Sequence, residues 1–437
     1  MTRETLVHNR GVKLFGLFLS MLTFVIILTC TQEAREHELL TSKSETGVKQ
    51  LRPIMHKGKP FFPIGAYSQS RPESGKGFVA FSELSKEGWN TVIQHVSDNT
   101  KKDISFLSSA EAEGFAVILS IHNLVAAQKQ DDVRKKISAL KDYPALLGYY
   151  IFDEPENVFS ASKEYKNSPH LGSLGLAGFI TKKIGWVKPL IQKIDPNPEH
   201  CIFMCIGWWN MYEKLHPLCN INMPNEYPTR NTKAEFEGPG ANIVHDASLA
   251  AKAAYKAGGK GFCYTPFAVN IGLEEHYRYP TVNEFRYSCF APITQGAMGI
   301  IYWAGYRCKS PYTNQVVFPV TRELSHLKPF FVGKWFNEAI RCELSQSSTK
   351  LLKKFNIPVV RGCMRQSEDG RYLVLAVNNT ANPVQATFQL DVEQLPNSGK
   401  EFISGRTVLI DDGIIRDEMR PYGVCAYIIK PVRDLPG

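Results

Sequence analysis

Three carboxylates fall within four residues in the run Leu147-Gly148-Tyr149-Tyr150-Ile151-Phe152-Asp153-Glu154-Pro155-Glu156. The apolar and aromatic part reads as a buried strand, which stops where the acids and the proline begin. Ionised carboxylates resist full burial, so a core strand ending in them points into a mouth or cleft. Neighbouring carboxyl groups also suit proton transfer. The charge of Asp153 raises the proton affinity of Glu154 and helps it hold a proton near neutral pH. Side chains alternate along a strand, so Asp153 and Glu154 are expected on opposite faces, with Glu154 toward the centre. A solvated acidic turn entering the next helix would leave the same trace, so the elements around the run must decide.

Short apolar runs alternate with amphipathic stretches from about residue 53 to 320. Candidate strands are Phe61 to Tyr67, Thr91 to Val96, Ala116 to Ile121, Leu147 to Phe152 and Ile202 to Ile206, with weaker ones at Leu218 to Met223, Gly261 to Thr265 and Gly299 to Trp303. Helix-like segments lie between them, among them Ile104 to Glu113 and Val133 to Leu140. Eight strands alternating with helices predict a TIM (β/α)8 barrel, whose usual size is about 250 residues. An open doubly wound sheet is disfavoured, because no Gly-x-Gly-x-x-Gly follows the first strand. Beyond residue 345 the pattern changes to short strands at 371–377, 386–390, 407–410 and 424–429, with turn signals at Asp369-Gly370, Asn397-Ser398-Gly399 and Asp411-Asp412-Gly413. That pattern predicts a small antiparallel β-sandwich. Thr321 to Arg341 reads as the helical connection. The expected organisation is a signal peptide or anchor at 1–30, a linker at 31–52, the barrel at 53–344 and the sandwich at 345–437.

The 437 residues carry a net charge of +9, spread without a dense basic block, so a nucleic-acid partner is not expected. Aromatics make up 11%, with 18 Tyr and 6 Trp, which suits a protein that handles flat apolar faces such as sugars. Arg3, Arg10 and Lys13 precede an uncharged apolar run from Leu14 to Cys30, the pattern of an export signal or single anchor. Ile27-Leu28-Thr29-Cys30 resembles a lipoprotein cleavage box, although Thr29 departs from the small residue usual before the cysteine. The body is expected outside the cytoplasm, touching membrane only through this N-terminal segment. Most of the other nine cysteines sit in apolar runs and read as buried small hydrophobes. No metal and no cofactor is expected, since His95 and His122 lack a third ligand at metal spacing.

Gly58-Lys59-Pro60-Phe61-Phe62-Pro63-Ile64-Gly65, Asp153-Glu154-Pro155, and Pro280-Thr281 through Gly296-Ala297-Met298-Gly299-Ile300-Ile301-Tyr302-Trp303 together resemble secreted glycoside hydrolases built as a barrel followed by a β-sandwich. The first resembles the entry into their first strand and the last their final helix and eighth strand. Asp153-Glu154-Pro155 is similar to the Asn-Glu-Pro that ends the fourth strand of retaining members. The resemblance implies a carbohydrate substrate and assigns the general acid to Glu154. It breaks in two places. Asp153 replaces the Asn that would bond the sugar 2-hydroxyl, and the seventh strand, Gly261 to Asn270, lacks the nucleophilic Glu of those families.

Glycoside hydrolysis needs a second carboxyl group, about 5 Å from the first for retention and about 6.5–9.5 Å for inversion. Asp153 and Glu226 are the candidates, with Asp98, Glu274 and Glu275 weaker. Sugar-contacting residues are expected where strands end: Tyr67, His95, His122, Trp208, Trp209, Tyr227, Tyr264 and Trp303, with the adjacent tryptophans the best stacking platform. Two functions fit. One is an exported glycoside hydrolase acting on a polysaccharide or glycan. The other is a barrel that binds carbohydrate at the cell surface and has lost catalysis, which the bare seventh strand favours.

Overall fold

The structure, a computed structural model, describes residues 51–68, 80–167, 175–226, 239–258, 261–268, 279–303, 311–336, 339–344, 351–352 and 357–431. Eight parallel strands close into a barrel: β1 (Ile64–Ser68), β2 (Thr91–His95), β3 (Ala116–Ser120), β4 (Leu146–Asp153), β5 (Cys201–Cys205), β6 (Ile221–Asn222), β7 (Phe262–Tyr264) and β8 (Ala297–Tyr302). Closure is made by β8 on β1, where Ile300, Ile301 and Tyr302 pair with Ile64, Gly65 and Ala66. The strands read as nearly continuous apolar runs because both faces are covered. Ile93, Ile118, Leu147, Tyr150, Phe203 and Ile301 fill the interior. Val92, Val117, Tyr149, Ile202 and Ile300 pack outward under the helices.

The helices are held at their ends by local chemistry. Asn99 caps Thr100–Ala112 through its side chain. Thr281 and Glu284 form a reciprocal capping box at the start of Val282–Thr294, with bonds of 3.3 and 2.8 Å. Gly148 in β4 marks a close approach, since a Cβ there would lie 1.9 Å from the Cys201 carbonyl oxygen.

Two larger antiparallel sheets follow, beside a two-stranded antiparallel pairing of Leu351–Leu352 with Ile357–Pro358. One has six strands, in the order Lys334–Trp335, Val360–Gln366, Tyr372–Asn378, Val424–Ile429, Ser398–Glu401, Thr407–Leu409; the other pairs Ile340–Leu344, Val384–Leu390 and Ile414–Met419. Alternation along Tyr372–Asn378 divides their cores. Val374 and Ala376 face Phe388 and Ile415 between the sheets, whereas Leu373, Leu375 and Val377 pack with the barrel helices. The sheets begin before residue 345. Phe318–Phe331 ends the helical connection early, and the strands at 334–335 and 340–344 already belong to the sandwich. Asn397-Ser398-Gly399, read as a turn, leads into a strand instead, because Ser398–Glu401 pairs on one side with Thr407–Leu409 and on the other with Val424–Ile429. The eight cysteines among the described residues are free thiols.

Arg365 fastens the sandwich to the barrel. It is fully buried, donates to the carbonyls of Phe331 and Ile293 at 2.7 and 3.2 Å, and lies 3.7 Å over the Trp335 ring. Tyr287 donates across the same boundary to Asn379 at 2.6 Å. Replacing Arg365 with Ala removes both donors and the packing on Trp335, at an expected cost of about 3 kcal/mol. Urea unfolding followed by tryptophan fluorescence and by far-UV circular dichroism should give one coincident transition for the wild type, moved to lower urea in the variant.

Candidate active site

Two local features of β4 decide where its acids point. The pairing with β5 shifts register between Tyr150 and Phe152, which makes a bulge at Ile151. Phe152 then lies opposite Met204 in the outer layer, and Asp153 lies opposite Cys205, which faces the interior. Asp153 therefore shares the inner face with Tyr150, whose hydroxyl donates to its Oδ1 at 2.7 Å. Glu154 next takes a left-handed conformation, φ +43° and ψ +61°, which is costly for a residue with a Cβ. That turn carries its carboxyl toward the loops after β5 and β6. Pro155 opens the helix Pro155–Ala161, where its fixed φ is pre-set. The expectation of opposite faces is thus overturned: the bulge turns Asp153 inward, and the left-handed residue brings Glu154 to the same mouth.

Both oxygens of Glu154 accept from side-chain amides, Oε2 from Asn157 at 2.6 Å and Oε1 from Asn225. Glu156 is fully buried. Its Oε1 accepts the backbone N–H groups of Gly207 and of Trp208, the latter at 2.9 Å, while its buried Oε2 has no partner. Gly207 lies where these groups meet. A Cβ on it would stand 3.0 Å from Asn225 Oδ1 and 3.2 Å from both Glu154 Oε1 and Glu156 Oε1. Segments following β4, β5 and β6 thus converge on one backbone position. The Trp208 indole donates to Asn157 Oδ1 at 2.8 Å. Trp208 and Trp209 are 38% and 57% exposed.

The electrostatics follow from burial and crowding. Burial pushes Asp153 up to about 6; the Tyr150 hydrogen bond opposes the rise and the charge of Glu154 adds to it. Burial pushes Glu156 up to about 7 against the hydrogen bonds it accepts, and Glu154 again adds to the rise. His122 is held down to about 4 by burial and by His95. Its Nδ1 accepts the Asp153 N–H at 3.1 Å, so the ring is neutral with its proton on Nε2. Burial also lowers His95, and its Nδ1 has no partner.

The other expected site residues are scattered. Glu226 stands beside Asp246 of the helix Pro239–Lys256; burial and then the Glu226 charge push Asp246 up to about 8. The residue this loop sends to Glu154 is Asn225. Tyr67 and Tyr264 present almost no surface to solvent, Tyr67 edge-on to Tyr150 at 5.2 Å. Tyr264 packs in the outer core. Trp303 is half-buried and stacks on Phe267 at 5.9 Å. Asp98 is exposed. Tyr227, Glu274 and Glu275 lie outside the described residues. Among the described residues, no three His, Cys, Asp or Glu side chains gather as metal ligands would.

Sequence reasoning missed Glu156, Asn157, Gly207 and Asn225. Glu156 stood in the same acidic run, and Asn157 is three residues beyond Glu154, the spacing that brings side chains together on a helix. Asn225 and Gly207 carried no signal, since their placement depends on neighbouring strands. At the opposite end of the barrel a cavity of about 520 Å³ is lined by His56, Lys57, Asp195 and His200 among others. There Asp195 accepts from the Tyr149 hydroxyl at 2.6 Å and pairs with His200 at 2.7 Å. Such satisfied pairs on the amino-terminal face of a barrel serve stability.

No family model and no curated protein matches the chain. Solved structures do. A catalytic mutant of a GH42 β-galactosidase from G. stearothermophilus superposes with a TM-score of 0.56 at 10% identity, over 87% of this chain and 99% of its own. A β-galactosidase from Rahnella sp. R3 gives 0.56 at 9%, over 88% and 100%. A GH27 β-L-arabinopyranosidase from Geobacillus stearothermophilus gives 0.53 at 10%, over 86% and 98%. The fold shared with these structures is the closed (β/α)8 barrel followed by antiparallel sheets. At these identities the likeness is one of fold alone, and the chemistry has to be argued from the site.

Glu156 makes stability depend on pH. Its folded value of about 7 exceeds the ordinary 4.5, so across that window the folded chain holds a proton that the unfolded chain has released. Stability therefore falls as pH rises from about 4.5 to about 7. Glu156→Gln cannot ionise and keeps an acceptor for Gly207 and Trp208. It should match the wild type near pH 4.5 and exceed it above pH 7, by up to about 3 kcal/mol. Melting temperatures measured across that range check the sign.

Proposed function

We propose that this chain is an exported glycoside hydrolase that cleaves O-glycosidic bonds of a polysaccharide or glycan, with Glu154 as general acid. The observation that carries the reading is the convergence of Asp153, Glu154 and Glu156 at the carboxyl ends of the barrel strands, beside the exposed Trp208 and Trp209. In parallel barrels this face is the catalytic one. The glycoside-hydrolase fold agrees with it.

The rises of Asp153 and Glu156 are each due in part to the charge of Glu154, so these two carboxyls hold protons toward neutral pH beside it. Glu154 is the member clamped by two amides yet still partly accessible. In the proposed step its proton passes to the glycosidic oxygen as the bond from that oxygen to the anomeric carbon breaks. Water supplies the hydroxyl that ends on the anomeric carbon, and the water's other proton goes to a second carboxylate, Asp153 or Glu226. Trp208 and Trp209 offer apolar ring faces for sugar stacking. Export rests on the basic start and the apolar run to Cys30, outside the described residues, where lipidation would anchor the body to membrane. Among the described residues no helix is long and apolar enough to cross a membrane.

One observation favours the second reading, a binding protein without catalysis: β7 runs into Thr265-Pro266-Phe267-Ala268 with no carboxylate among these residues. Incubation with a panel of polysaccharides, with products read by mass spectrometry, separates the two. For the hydrolase, the wild type releases oligosaccharides, and Glu154→Gln loses at least about 100-fold in turnover while still binding sugar. Binding without release would establish the second reading. Neither binding nor release would overturn both.

A further inference from the structure

The hydrogen bonds around Glu154 form a ring whose direction is fixed by one donor. An indole N–H can only donate, so the atom of Asn157 facing Trp208 Nε1 at 2.8 Å is its carbonyl oxygen. Its NH2 must then face Glu154 Oε2, at 2.6 Å. Asn157 is further held by its backbone N–H, which donates to the Glu154 carbonyl at 3.0 Å. Trp208 is tied back to the same segment through its own N–H on Glu156 Oε1 at 2.9 Å. The ring thus runs from Glu154 through Asn157 and Trp208 to Glu156, and it joins the segment after β4 to the loop after β5.

We propose that Asn157 is a positioning residue for Glu154: it fixes which way the carboxyl presents its remaining lone pairs and couples that orientation to the Trp208 ring. This deepens the hydrolase reading and rests on it for its use in catalysis. Three features support it. Glu154 sits in a strained left-handed conformation, which persists where surroundings over-determine it. One amide on each oxygen leaves one lone-pair region per oxygen for the proton and for the substrate. Trp208 is partly exposed at the mouth, so a sugar that stacks on it presses on the group that orients the acid. The charged and titratable groups that face this carboxyl include Asp153 and Glu156 on its own segment and the Cys205 thiol on β5.

The test uses two variants of the full chain with different failure modes. Asn157→Asp keeps an acceptor for the indole but sets a carboxylate against Glu154 in place of the NH2. Trp208→Phe keeps a ring but releases Asn157. The first readout is the titration of Glu154, followed by NMR on protein with 13C-labelled Glu side chains and assigned by its disappearance in Glu154→Gln. A like charge at this distance should move that titration upward by about one pH unit or more in Asn157→Asp, with a smaller move in Trp208→Phe. The second readout is turnover against pH, whose alkaline limb should move the same way while KM changes little in Asn157→Asp. A Glu154 titration unchanged in both folded variants overturns the positioning role. Because the titration needs no substrate, a displaced curve in a protein that cleaves no glycan would sink the hydrolase reading and leave the positioning intact.

Discussion

The pairing of Ile300, Ile301 and Tyr302 with Ile64, Gly65 and Ala66 closes the sheet on itself, and the site depends on that closure. An open parallel sheet would spread its strand ends along a line. A closed one gathers the carboxyl ends of eight strands around a single opening, so residues far apart in sequence can share a few ångströms. Glu154 and Asn225 meet on this account. Closure also explains the composition of the strands. With side chains filling the interior and helices covering the outside, no barrel strand among the described residues has a solvated face, and polar groups are pushed to the rims.

Those rim groups are held at a cost that the surroundings sustain. A carboxylic acid with no exposed surface, such as Glu156, is favoured in its neutral form, and two backbone N–H groups only partly offset its desolvation. The strained backbone at Glu154 adds to the cost. Packing alone would not select either feature, since an apolar residue at 156 and a glycine at 154 would fit the fold more comfortably. Their presence at a strand end facing the mouth is the kind of local conflict that marks a functional site.

The fold was legible because its signal is repetitive. Eight apolar runs separated by amphipathic stretches left few alternatives, and Asp-Gly turns marked the sandwich. Boundaries failed where pairing partners decide them: Ile340–Leu344 became a strand only by lying against Val384–Leu390. At the site, the acidic end of β4 was readable and its geometry was not. The rule of alternation placed Asp153 and Glu154 on opposite faces; a single extra residue at Ile151 turned Asp153 inward, and the left-handed backbone at Glu154 brought both to one mouth. No local pattern around Ile151 announces a bulge, whose origin is the register β4 keeps with its neighbour. Asn225 was passed over for the acid beside it, since a carboxylate draws attention in sequence where an amide does not.

The six-stranded sheet is covered on both sides, by the barrel helices and by the smaller sheet. Its central strand Tyr372–Asn378 is flanked by Val424–Ile429, some fifty residues further along the chain. During synthesis the barrel sequence emerges first, yet the apolar faces of its last helices stay bare until residues 424–429 have left the ribosome. The final packing of these helices is therefore a late event, and a chain that stopped short of Val424–Ile429 would meet the quality-control machinery with hydrophobic surface still showing.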